Sequence, residues 1–558
     1  MDMNFEVFNT HSMPIIYELC RVAKIREIVN EQVKWRDDNT KVSPGVLIES
    51  LVISIISGRR ALWNLDEYSK KQDMHYLFEG SGITPEQLND DAYGRALDKL
   101  SEVKMEELVS KISLGMLKMH GETIRRLHLD TTSISLEGAY KEDVKEGDFN
   151  ITYGHSKDHR PDLKQFKIGA AVQESGLPVM GELLSGNTSD REWNPETVRK
   201  MREHFTQEGY KDVVYIGDSA TVASYESLKD LSGIKFISRF PENFSIVSEL
   251  KEKALEEKNW TEVERSEKDK TAKYKICGYS RKIDGVEYRF VVVNSRELRD
   301  KKEKTIGRKI EREKSALEKK IKELQKKEFA CEEDASRALL EFMKEGILER
   351  FIVESKIEEK ITIKYAKKGR PSKDEKGTEE KSFCIEIGIK ETNEIAVSKL
   401  CDMEGCFVLI TSIKDKDEYS DYKILEEYKG QNSVEAAFKF LKDPVYLGSV
   451  FLKKKSRVEA LGYVFILVLL IAAYFEYRIR KSLKENNEFL NQPGGHKTQR
   501  PTVKTILELL ENVIIIVNNW KRYFQKNMDE KVTQVIKWAG FDNDIYLKHS
   551  VLGEREIK

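Results

Sequence analysis

The sequence predicts an α/β protein: a mixed sheet interrupted by a large insertion, with helical regions at both ends. Three observations predict it. Between Ile124 and Ser238, short apolar stretches come first as strands alone and then alternate with a helix. From about Pro241 to Glu404 the composition changes, and the middle of that stretch, Glu297 to Glu345, is dense in Lys and Glu. Capped amphipathic segments precede the strands, and helical patterns follow the insertion. The 558 residues exceed one simple core. These changes of texture divide them into a helical region 1–121, a first part of the sheet 122–240, an insertion 241–404, a second part of the core 405–480 and a helical region 481–558.

Each element has a local cause. Ser43-Pro44 is an N-cap followed by proline at the first helical position, and it opens the apolar run Val46 to Ile56. Thr84-Pro85-Glu86-Gln87 repeats that logic with a capping box, and Lys104 to Met119 is amphipathic. Arg126 to Leu129 reads as a strand running into Asp130. Phe166 to Val172 and Pro178 to Leu184 are strands joined by the turn Glu174-Ser175-Gly176-Leu177. Val213 to Ile216 runs into Gly217-Asp218, a helix follows from Val222 to Leu228, and Ile234 to Ser238 is a further strand. In the insertion, Tyr274 to Cys277, Tyr288 to Val293 and Cys384 to Ile389 are strand-like. They surround two charged helices, read as a solvated hairpin broken near Phe329-Ala330-Cys331. Phe407 to Thr411 resumes the sheet.

Composition narrows the function classes. The apolar fraction of 39% suits a folded chain, and the charged fraction of 34% is well above the roughly 25% of an average globular protein. Lys and Arg (95) nearly cancel Asp and Glu (96), yet Ala436 to Lys526 carries 16 basic against 7 acidic residues. A local basic surface of that kind can steer a phosphate backbone. Cys20, Cys277, Cys331, Cys384, Cys401 and Cys406 have neither a disulfide framework nor zinc spacing, so they read as free thiols in a reducing compartment. No signal-peptide pattern opens the sequence. The most apolar run, Leu461 to Phe475, has 15 residues, short of the roughly 20 that span a bilayer. A buried core helix, a cytoplasmic location and no membrane partner are expected.

Three carboxylates carry candidate chemistry. Asp130 and Asp218 each sit where a strand ends, and carboxylates at adjacent strand ends share one crevice. Two such groups repel unless a cation or proton lies between them, and hard oxygen ligands suit magnesium or manganese. A strand-ending Asp is about as often a turn-former, and Thr131-Thr132 and Ser219 fit that reading. Glu435 lies in a strong helix pattern, where Gln431, Glu435, Phe438, Lys439 and Lys442 fall on one face. An acid beside Lys439 and Lys442 sets a metal ligand next to phosphate-binding cations; the alternative is an ordinary ion pair on a solvated face.

These segments resemble DDE transposases of bacterial and archaeal insertion sequences, in the group with a Tyr-x2-Arg-x3-Glu-x6-Lys signature. Tyr428, Glu435 and Lys442 match its spacing, while Gln431 stands where the signature has Arg, with Lys429 beside it. His128-Leu129-Asp130-Thr131-Thr132-Ser133 resembles the family's first-Asp block, and Tyr153 to Gln165 its following loop. Gly186 to Asp190 and Gly217-Asp218-Ser219-Ala220 resemble the second-Asp region, and Leu88 to Arg95 resembles the N-terminal domain of a subgroup. The resemblance implies an RNase H-like core, interrupted before the Glu helix. The 88 residues between Asp130 and Asp218 and the 217 between Asp218 and Glu435 require such an interruption. It further implies two Mg2+ or Mn2+ ions, with Asp130 bridging both and Asp218 and Glu435 each completing one. Water then cuts the element's end, and the freed 3′-OH attacks target DNA. Lys442 and Tyr428 hold phosphate, the partners are terminal inverted repeats and target DNA, and a homodimer pairs two ends. The rivals are an RNase H-like nuclease without strand transfer and a domesticated DNA-binding protein; the presence of all three carboxylates disfavours the second.

Other features have plainer alternatives. Lys157, His159, Arg160 and Lys164 can meet DNA phosphates, or simply form a basic surface loop. Lys368-Gly369-Arg370-Pro371 resembles an AT-hook grip, though one copy in a Lys-rich loop is more often a turn. Lys453-Lys454-Lys455, Arg457, Arg478, Arg480 and Lys481 either grip DNA backbone or end a buried helix. Trp193 and Trp260 can stack on a base or pack in a core.

Overall fold

A computed structural model describes residues 5–35, 41–58, 62–78, 83–140, 148–264, 273–364, 378–430, 435, 438–440, 442–443, 450, 452–492, 494–518, 521–526 and 528–547. The chain forms two compact units, one of Met1–Ser238 with Glu426–Lys558 and one of Arg239–Leu425.

The first unit is built on a mixed sheet. Its strands are β2 (Arg126–Leu136), β3 (Lys164–Gln173), β4 (Pro178–Ser185), β5 (Val214–Gly217) and β6 (Lys235–Arg239), in the order β4-β3-β2-β5-β6. β2, β3 and β4 form an antiparallel meander. β5 and β6 run parallel to β2, with His128 opposite Ile216 and Gly217 opposite Ser238. Helix Asp190–Gln207 makes the crossover between β4 and β5, since parallel strands need a long connection. The sheet is mixed, as the sequence predicts. The meander and its turn follow the sequence closely. β2, by contrast, does not end at Asp130 but continues through Leu136, because Thr132, Ile134 and Leu136 keep it buried.

The longest helix of the unit, Lys455–Glu485, extends well beyond the apolar run that marks it. Its 31 residues are enough to cross a membrane by length and composition, and 94% of its most apolar window is buried inside the protein. It lies on β4 through two reciprocal close approaches. A Cβ on Gly181 would meet Ile466, and a Cβ on Gly462 would meet Leu183. Tyr463 donates no such room but reaches the sheet through its hydroxyl, 3.3 Å from the Leu183 amide. Helices Pro44–Ile56, Asp90–Leu100 and Met105–Met119 pack against the other sides of the same helix.

The terminal regions are not purely helical. β1 (Phe5–Asn9) pairs antiparallel with Ile514–Asn518, which pairs with Lys521–Phe524. The run Ile514-Ile515-Ile516-Val517 alternates half-buried and buried, the period of a strand and not of a helix. The Thr84 capping box forms, but it opens a single 3-10 turn, and the helix starts at Asp90 behind an Asn89 cap.

In the second unit, β7 (Thr261–Glu264), β8 (Lys273–Ile283), β9 (Val286–Ser295) and the strand Cys406–Thr411 lie side by side. The charged middle is more than a solvated hairpin. Helix Arg296–Gln325 buries Ile306, Ile310, Leu317 and Ile321 against Ile385 and Ile387, on a long antiparallel hairpin of Phe351–Lys364 and Thr378–Thr392. Apolar residues at helical spacing define that stripe, and the Lys and Glu residues cover the rest.

One packing detail links the sheet to the site below. Gly169 on β3 lies between Thr131 on β2 and Glu182 on β4. The Trp193 indole covers it, so that a Cβ there would fall 2.2 Å from the ring, and the indole N–H donates to Glu182 at 2.8 Å. Trp193 is therefore a core residue. Gly169→Ala forces the ring out of place, and overpacking of this kind costs about 1–3 kcal/mol. A denaturant titration should show a lowered midpoint, and an unchanged midpoint would mean the indole is not seated on Gly169.

Candidate active site

Two of the three candidate carboxylates are brought together by strand pairing. β2 and β5 are parallel with His128 opposite Ile216, and continuing that register by two residues sets Asp130 beside Asp218. Asp218 follows the carboxyl end of β5, where α/β sheets open a crevice. Its Oδ1 accepts from Asn194 Nδ2 at 3.1 Å and from the Ala220 amide at 2.9 Å, and the Ser238 hydroxyl holds its backbone carbonyl at 2.7 Å. Burial raises the Asp218 pKa above the usual carboxylate range; the Ala220 amide works against that rise and the charge of Asp130 adds to it. Burial likewise raises the pKa of Asp130, against the pull of Lys157.

Lys157 turns inward rather than toward solvent. Its Nζ lies 3.2 Å from Asp130 Oδ1 and 3.2 Å from Asp190 Oδ2, and it donates to the Thr131 carbonyl at 2.6 Å and the Thr131 hydroxyl at 3.0 Å. Thr131 Oγ1 donates to Asp190 Oδ1 at 2.8 Å, and the buried Lys167 reaches Asp190 Oδ1 at 3.1 Å and the Thr188 carbonyl at 2.6 Å. Burial opposes the Lys157 ammonium, but Asp130 and Asp190 hold its pKa above the ordinary lysine value. For Asp190, burial pushes upward, and Lys157, Thr131 and Lys167 outweigh it, so its carboxyl titrates below the usual range.

Asp190, Lys167 and Asn194 did not stand out from the sequence as site residues. Asp190 and Asn194 are four apart in the first turns of one helix, hence on one face. Lys167 is the single charge in the otherwise apolar stretch Phe166 to Val172, the kind of residue that needs a buried partner.

Helix Asp421–Lys429 carries the start of the signature. Glu427 is buried and accepts from Arg126 Nη1 of β2 at 2.7 Å, and Gly430 lies against the His128 ring. Burial, reinforced by Arg126, lowers the His128 pKa to about 4, so that imidazole is neutral. Tyr428 is half-buried, and Gln431 lies outside the described residues. Glu435 is helical and exposed, Phe438 is buried and Lys439 is exposed, so this face is not uniform. Among the described residues no group of three or more His, Cys, Asp or Glu is gathered as a metal cluster, and Glu435 is not drawn to the aspartate pair.

Several candidate DNA-binding cations already have protein partners. Lys442 pairs with Asp158 at 2.5 Å, and Arg160 grips Asp162 through two bonds of 2.8 and 2.7 Å. Lys164 donates to the carbonyls of Ala139 and Tyr140. His159 is exposed, with a φ of 57°. Arg457 is bound to Asp98, and Arg480 to the Pro501 carbonyl, so these serve the buried helix. The Lys368 to Pro371 stretch lies outside the described residues.

The donor set of Asp130 and Asp218 fits a hard divalent cation: two adjacent carboxylate groups, both resisting ionisation, with oxygen ligands only. The ammonium of Lys157 stands for positive charge on one side of Asp130.

Residues 122–471 match the family described as "Transposase DDE domain", and residues 6–114 match a domain of unknown function, DUF4277. No curated protein matches the chain. Among solved structures, one titled "Mos1 transposase paired-end complex with left transposon end" aligns over 31% of this chain and 56% of that one. Its identity is 15% and its TM-score 0.14, too slight a likeness to bear on fold or chemistry.

The raised pKa of Asp218 has a thermodynamic consequence. Its folded value lies above the unfolded value of roughly 3.9, so the metal-free fold loses stability as pH rises through that interval and the penalty is complete above it. Asp218→Asn keeps an acceptor for Asn194 and Ala220 and removes the charge. It should stabilise the metal-free protein by about 0.5–2 kcal/mol at neutral pH, with the gain shrinking toward pH ~4. Thermal unfolding of both proteins across that range checks it; a variant less stable at pH 7 contradicts it.

Proposed function

The chain belongs to the DDE transposase family, and from that premise we propose that it cleaves DNA at the ends of its own insertion sequence and joins the freed 3′ ends to target DNA. The observation that carries this reading is the juxtaposition of Asp130 and Asp218 across parallel strands, both with carboxyl groups that burial makes reluctant to ionise alone. Asp130, Asp218 and Glu435 would hold divalent metal, Mg2+ or Mn2+, as a pair of ions. When bound, such ions lower the pKa of a water or 3′-hydroxyl nucleophile and offset charge on the phosphoryl oxygens.

The rest of the work belongs to the chain's own residues. Asn194 and the Ala220 amide orient the Asp218 carboxylate, fixing which oxygen remains free. The Arg126–Glu427 pair anchors the start of the signature helix to β2, the strand that carries Asp130. Glu435 has to approach that strand when DNA is bound, since it stands exposed in the free protein. Tyr428, Lys439 and Lys442 present polar groups to DNA phosphates. Lys442 exchanges Asp158 for phosphate, a trade between two anions that costs little at an exposed site. Gln431 offers an amide where an arginine would give a fork, and Lys157, His159, Arg160 and Lys164 line the neighbouring loop. A homodimer pairing two element ends is part of the proposal, because cutting and joining two ends together requires two sites.

The test uses purified protein, labelled DNA carrying the element's ends, and Mg2+ or Mn2+. Asp130→Asn, Asp218→Asn and Glu435→Gln should each reduce end-specific nicking by at least about 10²-fold, while DNA binding in a gel-shift assay persists. Nicking that survives one of these substitutions removes that residue from the site. Cleavage without joined products would favour a nuclease over a transposase.

A further inference from the structure

The Lys157 ammonium has more acceptors than protons. An ammonium carries three N–H donors, and four oxygens surround Lys157 Nζ: Asp130 Oδ1, Asp190 Oδ2, and the carbonyl and hydroxyl oxygens of Thr131. If Asp130 withdraws, the three remaining acceptors still match the three protons. Lys157 also keeps an ion-pair partner, because Asp190 stays at 3.2 Å. Without the Asp190 carboxylate, Asp130 would be the remaining carboxylate in contact with Lys157 among the described residues.

We propose that Asp190 is a positioning residue that shares the Lys157 ammonium with Asp130 and keeps it when the Asp130 carboxylate turns to a divalent cation. The inference rests on the metal reading above. Asp190 does this without ligating metal itself, since Thr131, Lys157 and Lys167 already occupy its two oxygens. The same helix serves both metal-facing aspartates. Its first turn presents Asp190 to the Lys157 that binds Asp130, and Asn194, four residues on, donates to Asp218.

The experiment is a Mn2+ titration of the full chain without DNA, with free Mn2+ read from its electron paramagnetic resonance signal. Wild type, D190N, K157M, the double variant D190N/K157M and the control D218N are compared. D190N should weaken Mn2+ uptake about 10-fold, the usual size of an effect from a residue behind a metal ligand. K157M should tighten it several-fold, and the double variant should match K157M within ~2-fold, since the competitor is gone. Unchanged uptake by D190N overturns the proposal. So does an equal loss from D190N in the K157M background, which would make Asp190 a ligand or a scaffold element. If D190N does not fold, K157M decides: tighter uptake than wild type supports competition, and unchanged or weaker uptake refutes it. Wild type that takes up no Mn2+ while folded overturns the metal reading, and this inference with it; D218N that loses Mn2+ while D190N does not separates the two.

Discussion

Two carboxylates held side by side under burial are the constraint to which the rest of the site answers. The parallel pairing of β2 with β5 brings Asp130 and Asp218 close enough for the charge of one to act on the other. Each negative charge is penalised by lost solvation and by its neighbour. The structure meets that penalty with a few short contacts. Asn194 and an amide satisfy Asp218, Lys157 offsets Asp130, and Asp190 with Lys167 completes the charge balance around Lys157. A protein selected only for stability would have no reason to bury this pair. Functional sites commonly carry a cost of this kind.

The packing around the site keeps it in place. Gly169 admits the Trp193 indole, and Trp193 sits in the chain directly before Asn194, so the crossover helix cannot shift without moving the Asp218 contact. On the other side of the sheet, Gly181 and Gly462 let the long apolar helix close against β4. Close-packed interiors are poorly compressible, so such contacts transmit position more faithfully than loops would. The start of the signature helix is pinned by the Arg126–Glu427 pair, whereas Glu435 lies on the exposed side.

Much of this was legible in the sequence where one local rule acts alone. The meander Phe166 to Leu184, with its four-residue turn, emerges as β3 and β4 because apolar run, turn and apolar run admit few other readings. The apolar stretch at Leu461 is a buried helix, as its composition suggested. The reading failed where two signals competed. Thr84 makes its capping box, yet only a single turn follows, because a cap lowers the cost of starting a helix and does not propagate one. The Ile514 run does not declare itself as a strand locally because its partner, Phe5–Asn9, lies at the opposite end of the chain. The charge density of the insertion's helices reads as solvated, although Ile306, Ile310, Leu317 and Ile321 mark a stripe that needs a cover.

By itself, the sequence determined the mixed α/β class and the strands and turns of its meander. These follow from periodicity, turn chemistry and residue type, which act over a few neighbouring positions. Only the tertiary structure decided which groups meet. That Lys157 points inward to Asp130 and not outward to solvent, that Asp190 and Lys167 share its charge, and that Asn194 holds Asp218 are all long-range facts. Their physical reason is that desolvation and Coulomb interaction depend on distance in space, which strand register sets and sequence spacing does not.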